Sequence, residues 1–146
     1  MEPTLAQRIE QAVRNYFRAC NDGGATSIAA CFSGDAVHYF PGLPKWSGAI
    51  TIGNNLAKRV RDFGQCWTVD QVLVDAVRCA AMVEWTQFDR SGRIVRGVDW
   101  IVLEHQTLMI REIRPYVAAF RADVARQELQ DFDYAGRGYP MAAPAR

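Results

Sequence analysis

Four strand-like segments follow one another in the second half of the chain, and they constrain the fold more than any other feature. Each is rich in β-branched and aromatic residues, and together they comprise residues 67–74, 78–88, 94–104 and 109–120. The connections between them, at Asp75, at "DRSGR" and at "EHQT", are short turn signals. Parallel strands need much longer connections, so the sequence predicts an antiparallel meander.

The first half of the chain is mostly helical in its pattern. Apolar residues recur every three or four positions in residues 4–20, and the glycines of "NDGG" then end an amphipathic helix. Residues 26–32 and 50–63 predict two more helices, and residues 36–40 predict a strand before the loop "PGLPKWSG". Helices followed by a meander indicate an α+β fold with the helices packed on one sheet face.

Composition and charge exclude several classes of partner. Of the 146 residues, 17 are Lys or Arg and 16 are Asp or Glu, which leaves a net charge of +1 and no pull toward nucleic acid or anionic membrane. No apolar run approaches the roughly 20 residues of a membrane span. The N-terminus "MEPTLAQRIEQ" lacks the apolar core of a signal peptide, so we expect a cytoplasmic protein. We expect one domain over residues 1–146, with a core at 4–120 and a C-terminal helical turn and docking tail at 121–146.

The cysteines and histidines form no metal-binding pattern. Cys20, Cys31, Cys66 and Cys79 are scattered without a CxxC pair, which predicts free, mostly buried thiols. The chain has only two histidines, they are not spaced i,i+4, and His105 lies in a polar turn. We therefore expect neither a metal nor another cofactor.

Strand alternation places three ionisable side chains among apolar neighbours. The predicted faces group His38 with Ala36 and Phe40, Asp99 with Gly97, Ile101 and Leu103, and Glu84 with Met82, Thr86 and Phe88. Burial of an unpaired charge costs several kcal/mol, so such residues indicate a site. An imidazole with a pKa of about 6.5 suits proton transfer at neutral pH, although a core histidine bonded to the backbone fits the same pattern.

The order of the elements resembles that of the nuclear transport factor 2-like superfamily, and within it the SnoaL-like group. The resemblance is carried by "FSGDAVHYFPG" after the second helix and by "RGVDWIVLE" and "MIREIRPYV" at the end, and it covers about residues 4–120. It implies a cystatin-like cone, in which a curved antiparallel sheet wraps three N-terminal helices around an internal, mostly apolar pocket. Members include ketosteroid isomerase, scytalone dehydratase, limonene epoxide hydrolase and polyketide cyclases, and others bind ligands or partners without catalysis. The fold alone therefore does not settle the function.

The resemblance to ketosteroid isomerase is partial at the level of residues. Tyr16 falls where that enzyme places its oxyanion-hole tyrosine, and Asp99 falls where it places a protonated aspartate. Phe40 stands in place of the general-base aspartate, so we do not expect the steroid reaction itself. His38, two residues earlier on the same face, could take over as base. Limonene epoxide hydrolase fits less well, because its final-strand aspartate corresponds to Pro115.

Together these features predict a cofactor-free isomerase or lyase, of cyclase or dehydratase type, that transfers a proton at a hydrophobic carbonyl or polyketide-like substrate. Burial would keep Asp99 protonated, or else Asp99 would orient His38 through a hydrogen bond. The predicted catalytic residues are His38, Asp99, Tyr16 and Glu84, and the predicted substrate-binding residues are Phe40, Trp46, Phe88, Ile101 and Ile113. The alternative is a non-catalytic ligand-binding protein or a dimeric scaffold of the same fold.

The opposite face of the sheet is predicted to be too apolar for solvent. Its expected members are Val83, Trp85, Val98, Trp100 and Val102. We therefore expect a homodimer through this outer sheet face, with Trp85 and Trp100 in the contact. Phe132, Tyr134 and Tyr139 make the tail apolar enough to dock on the body or on a partner subunit.

Overall fold

Three helices lie against one side of the sheet in the computed structural model, which describes residues 1–118 and 128–142. They are α1 (Leu5–Asp22), α2 (Ala25–Ala29) and α3 (Ala49–Phe63). A capping box starts α1, because the Thr4 hydroxyl accepts a hydrogen bond from the Gln7 backbone N–H and the Gln7 side chain accepts one from the Thr4 N–H. The second helix ends earlier than predicted, since Phe32 already belongs to the first strand.

The close packing of α2 against α3 depends on one glycine. A Cβ atom at Gly53 would lie 2.5 Å from the carbonyl oxygen of Ala25 and 2.9 Å from the Cβ of Ala29. Both contacts are shorter than van der Waals separation, so only glycine allows the two helices to approach this closely.

Six strands form one curved, unclosed sheet. They are β1 (Phe32–Phe40), β2 (Leu43–Ser47), β3 (Cys66–Asp75), β4 (Ala80–Phe88), β5 (Ile94–Leu103) and β6 (Ile110–Val117), in the spatial order β2-β1-β6-β5-β4-β3. The antiparallel meander from β3 to β6 is confirmed. The strand β2 lies within the predicted loop and forms a hairpin with β1, and β1 pairs with β6 in parallel. The α+β class and the cystatin-like cone are thus confirmed.

The face of β4 that lies toward the helices is the opposite of the predicted face. Val83 pairs directly with Asp99, and Trp85 pairs directly with Gly97. Directly opposed residues of antiparallel strands point to the same side, so Val83 and Trp85 follow Asp99 into the interior, where both are buried. The prediction that Glu84 faces inward with Met82 and Phe88 is therefore wrong. The prediction that Val83 and Trp85 lie on the outer face is wrong for the same reason.

The C-terminal segment 128–142 covers the outer face of β1 and β6. Tyr39, Leu129 and Phe132 are buried there in a second hydrophobic cluster, and the backbone of Leu129 bridges to Pro41. The predicted helical turn at the start of the tail falls largely on residues 119–127, outside the described residues. The tail therefore docks on the body of its own chain, as one of the two predicted arrangements requires.

A buried arginine holds this tail to the sheet. The guanidinium of Arg114 lies 5.1 Å from the ring of Trp100 and 5.2 Å from that of Phe132, and it donates a hydrogen bond of 3.1 Å to the hydroxyl of Tyr139. The carboxylate of Glu112, 3.6 Å from the Nε of Arg114, and the two aromatic faces together stabilise a charge that would otherwise be costly to bury.

Two further predictions concern the state of the cysteine thiols and the presence of a membrane-spanning helix. All four cysteines are free, with Cys20 and Cys79 buried, Cys31 partly buried and Cys66 exposed. Among the helices that the structure describes, none is long and apolar enough to cross a membrane.

Candidate functional site

A cavity of about 340 Å³ lies between the helices and the inner face of the sheet. This volume is at the lower end of the range for small-molecule sites. Exposed residues such as Leu43 and Arg93 belong to its lining, so the cavity reaches the surface. The lining comprises Tyr16, Phe17, Cys20, His38, Phe40, Pro41, Leu43, Leu56, Arg59, Gln65, Trp67, Trp85, Gln87, Arg93, Val95, Asp99, Pro115 and Val117.

His38 faces this cavity with one defined nitrogen free to act as a base. Its Nδ1 lies 2.9 Å from the carbonyl oxygen of Tyr39, which can only accept, so Nδ1 donates and Nε2 carries the lone pair. The ring stacks on Phe40 at 4.4 Å between centroids. Burial lowers the pKa of His38, the bond to Tyr39 partly opposes this shift and the charge of Arg59 adds to it, so that the pKa is about 4. The imidazole is therefore neutral at physiological pH.

Asp99 presents a carboxyl group that burial keeps close to half-protonated at neutral pH. Its side chain is 5% exposed, and burial raises its pKa to about 7. Its Oδ1 accepts a hydrogen bond of 2.9 Å from the indole Nε1–H of Trp85, which partly opposes that rise. Below about pH 7 the other oxygen carries a proton and can donate it in a hydrogen bond. Among the described side chains no hydrogen bond joins Asp99 to His38, so the alternative in which Asp99 orients His38 is wrong.

Tyr16 supplies a second buried donor in the same cavity as Asp99. Burial raises its pKa well above the usual value, and the nearby Cys20 and Asp99 raise it further, so its hydroxyl stays protonated. Cys20, one helical turn later, is hydrogen-bonded to Tyr16. Burial also raises the pKa of the Cys20 thiol, which makes it a poor nucleophile.

The sheet sets the distance between the base and the donors. His38 on β1 is opposite Ile113 on β6, and Asp99 on β5 is opposite Pro115 on β6. His38 and Asp99 are therefore two strand spacings apart, or about 10 Å along the hydrogen-bonding direction. That gap is wide enough for a small molecule to lie over Pro115 and contact both groups.

Comparisons with known proteins identify the fold family. No protein-family profile and no curated protein matches the chain. A protein of unknown function with a cystatin-like fold, from Methylobium petroleophilum, is 37% identical over 99% of both chains, with a TM-score of 0.91. A nuclear transport factor 2-like protein of unknown function from Mesorhizobium loti is 15% identical over 82% of this chain and 98% of its own, with a TM-score of 0.67. A candidate polyketide cyclase from Sinorhizobium meliloti is 18% identical over 73% of this chain and 94% of its own, with a TM-score of 0.63.

The chain belongs to one family with the cystatin-like protein from Methylobium petroleophilum, and it shares its fold with the nuclear transport factor 2-like protein and the candidate cyclase. One fold can carry different functions, so the residues of this cavity have to be assigned one by one. The structure brings four of the predicted residues together in the cavity: Tyr16, His38, Phe40 and Asp99.

Five predicted site residues lie outside this cavity. Glu84 and Phe88 are exposed on the outer face, because the register with β5 turns them away from the helices. Trp46 packs behind Phe40, with 4.3 Å between the ring centroids. Ile101 and Ile113 pair directly and are fully buried in the core.

Trp85 and Gly97 are site residues that the sequence analysis missed. The indole of Trp85 crosses β5 at Gly97, where a Cβ atom would lie 2.5 Å from its Cζ2. Only glycine at this position lets the indole N–H reach Asp99. The available signal was the glycine inside the strand pattern "RGVDW", since such a glycine often marks a close approach.

The polar residues at the mouth of the cavity were also missed. They are Arg59 on α3, Gln65 and Gln87 at the open ends of β3 and β4, and Arg93 before β5. Among residues 1–118 and 128–142, no three His, Cys, Asp or Glu side chains lie close enough together to hold a metal ion.

Proposed function

We propose that this protein is a cofactor-free enzyme that removes and returns a proton at the carbon next to the carbonyl group of a small hydrophobic, polyketide-like compound. One observation supports the proposal above all others. A neutral imidazole, His38, and two buried hydrogen-bond donors, Tyr16 and Asp99, face the same cavity. This is the set of groups that enolate chemistry requires.

The proposed reaction starts with proton transfer to Nε2 of His38. The C–H bonding electrons move into the C–C bond, and the carbonyl electrons move onto oxygen to form an enolate. Tyr16 and Asp99 donate hydrogen bonds to that oxygen, which stabilises the developing charge in a site shielded from water. Because the pKa of His38 is about 4, its imidazolium is a strong acid and returns the proton readily. Return to another carbon gives isomerisation, attack of the enolate on a second carbonyl gives cyclisation, and loss of a β-hydroxyl as water gives dehydration.

Hydrogen–deuterium exchange tests this first step without knowledge of the natural substrate. In D2O, a small bicyclic ketone such as 2-tetralone exchanges its α-protons when a base and an oxyanion site act together, and proton NMR follows the loss of signal. We expect the protein to accelerate exchange well beyond an equal concentration of imidazole. The Glu84→Gln variant should exchange at the wild-type rate, because Glu84 lies on the outer face. Exchange no faster than with imidazole, across a series of such ketones, would refute the proposed enzyme.

A non-catalytic ligand-binding role is the second candidate. The observation that favours it is the low pKa of His38, about 4, which makes the imidazole a weak base. In that case the cavity would bind the same ketones, and their α-protons would exchange at the rate of the buffer alone.

We also propose that two copies associate through the part of the outer sheet face that residues 128–142 of the tail leave uncovered. Leu73, Met82 and Tyr116 are exposed there beside the half-buried Trp100, whereas Trp85 lies inside and takes no part. The net charge of +1 gives two copies little mutual repulsion. Light scattering should give twice the 16.4 kDa mass of the chain, and a Trp100→Glu variant should give the single mass. A monomeric wild-type protein would contradict this contact.

A further inference from the structure

The polar residues of the cavity divide into an inner group and a rim group. Tyr16, His38 and Asp99 form the inner group. At the rim, Gln87 on β4 lies directly between Trp67 on β3 and Val95 on β5, and all three face the cavity. The remaining rim residues continue the same faces two positions further out, with Gln65 beyond Trp67 and Arg93 beyond Val95.

Arg59 also lines the cavity, and it has no carboxylate partner among residues 1–118 and 128–142. It is half-buried on α3 and lines the cavity, yet no ion pair or hydrogen bond joins its guanidinium to any residue within the described ranges. Arg59 and His38 line the same cavity, and the charge of Arg59 contributes to the lowered pKa of His38. The neighbouring basic residues of the same helix behave differently, since Lys58 and Arg61 are exposed and both pair with Asp62.

The lining of the cavity carries more basic than acidic side chains. Two arginines line it, and the only carboxyl group among the lining residues that the structure describes is Asp99, which Trp85 already engages. A half-buried guanidinium without a partner is unfavourable, and an anion that enters the cavity would relieve that cost. The potential inside such a low-dielectric cleft attracts anions and repels cations.

We propose that the substrate of this cavity is a carboxylic acid, an apolar carbonyl compound whose ionised carboxylate pairs with the guanidinium of Arg59. The planar guanidinium can donate two parallel hydrogen bonds to one carboxylate, which neither glutamine at the rim can match. Arg93, Gln65 and Gln87 attract and orient the acid as it enters. The inference rests on the proposed function, which places the substrate in this cavity, and it adds the chemical class of that substrate.

The size of the cavity limits the length of such an acid. Asp99 and Val95 are four residues apart on β5, which corresponds to about 13 Å between the inner donors and the rim. Arg59 lines the same cavity as His38. A cavity of about 340 Å³ with this depth suits a compound of one or two rings that carries an acid group.

A pair of probes of equal shape tests the inference by binding alone. The probes are 2-naphthoate and 2-naphthamide, and titration calorimetry gives the affinity of each at neutral pH. We expect the wild-type protein to bind the acid at least about tenfold more tightly than the amide, as a charge-assisted bidentate pair predicts. In Arg59→Met the ratio should fall to about one, while the affinity for the amide is retained because methionine preserves the apolar stem. Arg61→Met, on the exposed face of the same helix, should keep the wild-type ratio.

Several results would overturn the inference. These are equal binding of acid and amide by the wild-type protein, no binding of either probe at millimolar concentration, and equal loss of acid affinity in Arg59→Met and Arg61→Met. A ratio that survives in Arg59→Met and disappears in Arg93→Met would overturn the assignment to Arg59. Circular dichroism checks that each variant folds. Because no turnover is measured, a preference for the acid without any α-proton exchange would refute the proposed enzyme and leave the acid site standing.

Discussion

Replacement of His38 by glutamine is expected to slow α-proton exchange by a factor of about 10²–10⁴, the usual contribution of a positioned general base. Glutamine has a similar size, but its amide does not accept a proton at neutral pH. The stack of the imidazole on Phe40 is lost, yet the cavity keeps its lining. The rate of deuterium incorporation into a bicyclic ketone, followed by NMR, measures the effect.

The second histidine of the chain provides a matched control for this experiment. His105 is exposed in the turn between β5 and β6, far from the cavity lining, so His105→Gln should exchange at the wild-type rate. Binding of 2-naphthamide should be retained in His38→Gln, which separates a lost base from a collapsed site. Undiminished exchange in a folded His38→Gln protein would remove His38 from the mechanism.

Replacement of Asp99 by asparagine is expected to stabilise the protein at alkaline pH. The pKa of Asp99 is raised from 3.8 to about 7, so between these values the unfolded chain has lost a proton that the native protein keeps. The native state therefore loses stability as the pH rises from about 4 to about 7, and above about 7 it carries a buried carboxylate. A shift of this size corresponds to about 4 kcal/mol in the free energy of unfolding. Asparagine avoids that cost, and it can still accept from Trp85 while it donates through its own N–H.

Urea unfolding at about pH 5 and about pH 8 checks this result, because the free energy gained on Asp99→Asn should grow with pH. His38 shifts stability in the opposite sense, since its lowered pKa removes stability as the pH falls from about 6.5 to about 4, but it does so equally in both proteins. Asp70→Asn provides the contrast. Hydrogen bonds from Thr86 and Thr68 lower the pKa of Asp70, so its replacement should destabilise the protein instead. A gain for Asp99→Asn that does not change with pH would contradict burial as the cause of the shifted pKa.

The same variant tests the catalytic proposal through its pH profile. Exchange by the wild-type protein should require neutral His38 above about pH 4 and protonated Asp99 below about pH 7. The amide of the introduced asparagine donates at every pH, so the loss of activity above about pH 7 should disappear in Asp99→Asn. A profile that still falls at the same pH would assign that limb to another group.

The secondary structure was largely predictable because the spacing of apolar residues within each segment indicates a helix or a strand. The predicted strand 94–104 is observed at Ile94–Leu103, and the predicted helix 50–63 is observed at Ala49–Phe63. The misses occurred where a long-range partner decides the conformation. Residues 43–47 contain a proline and follow a Pro-Gly pair, so their own sequence predicts a loop. They form strand β2 because they pair with β1. Residues 32–35 extend β1 toward the helix, and Phe32 pairs with Ile110 far along the chain.

The face of β4 shows most clearly where alternation fails. Both of its faces carry apolar residues, so its own sequence cannot decide which face is inside. The register against β5 decides it, because Val83 is opposite Asp99. One residue of difference in that register exchanges Trp85 and Glu84 between the cavity and the outer surface.

The sequence by itself determined the fold class, the positions of most helices and strands, and the three inner groups of the cavity, Tyr16, His38 and Asp99. Each of these follows from a pattern within one segment or from the resemblance of the whole order of elements. Only the tertiary structure decided which residues meet those groups. The bond from Trp85 to Asp99, the cavity that Arg59 shares with His38 and the docking of the tail over Tyr39 all join residues far apart in the chain. Such contacts depend on strand register and helix packing, which no local pattern records.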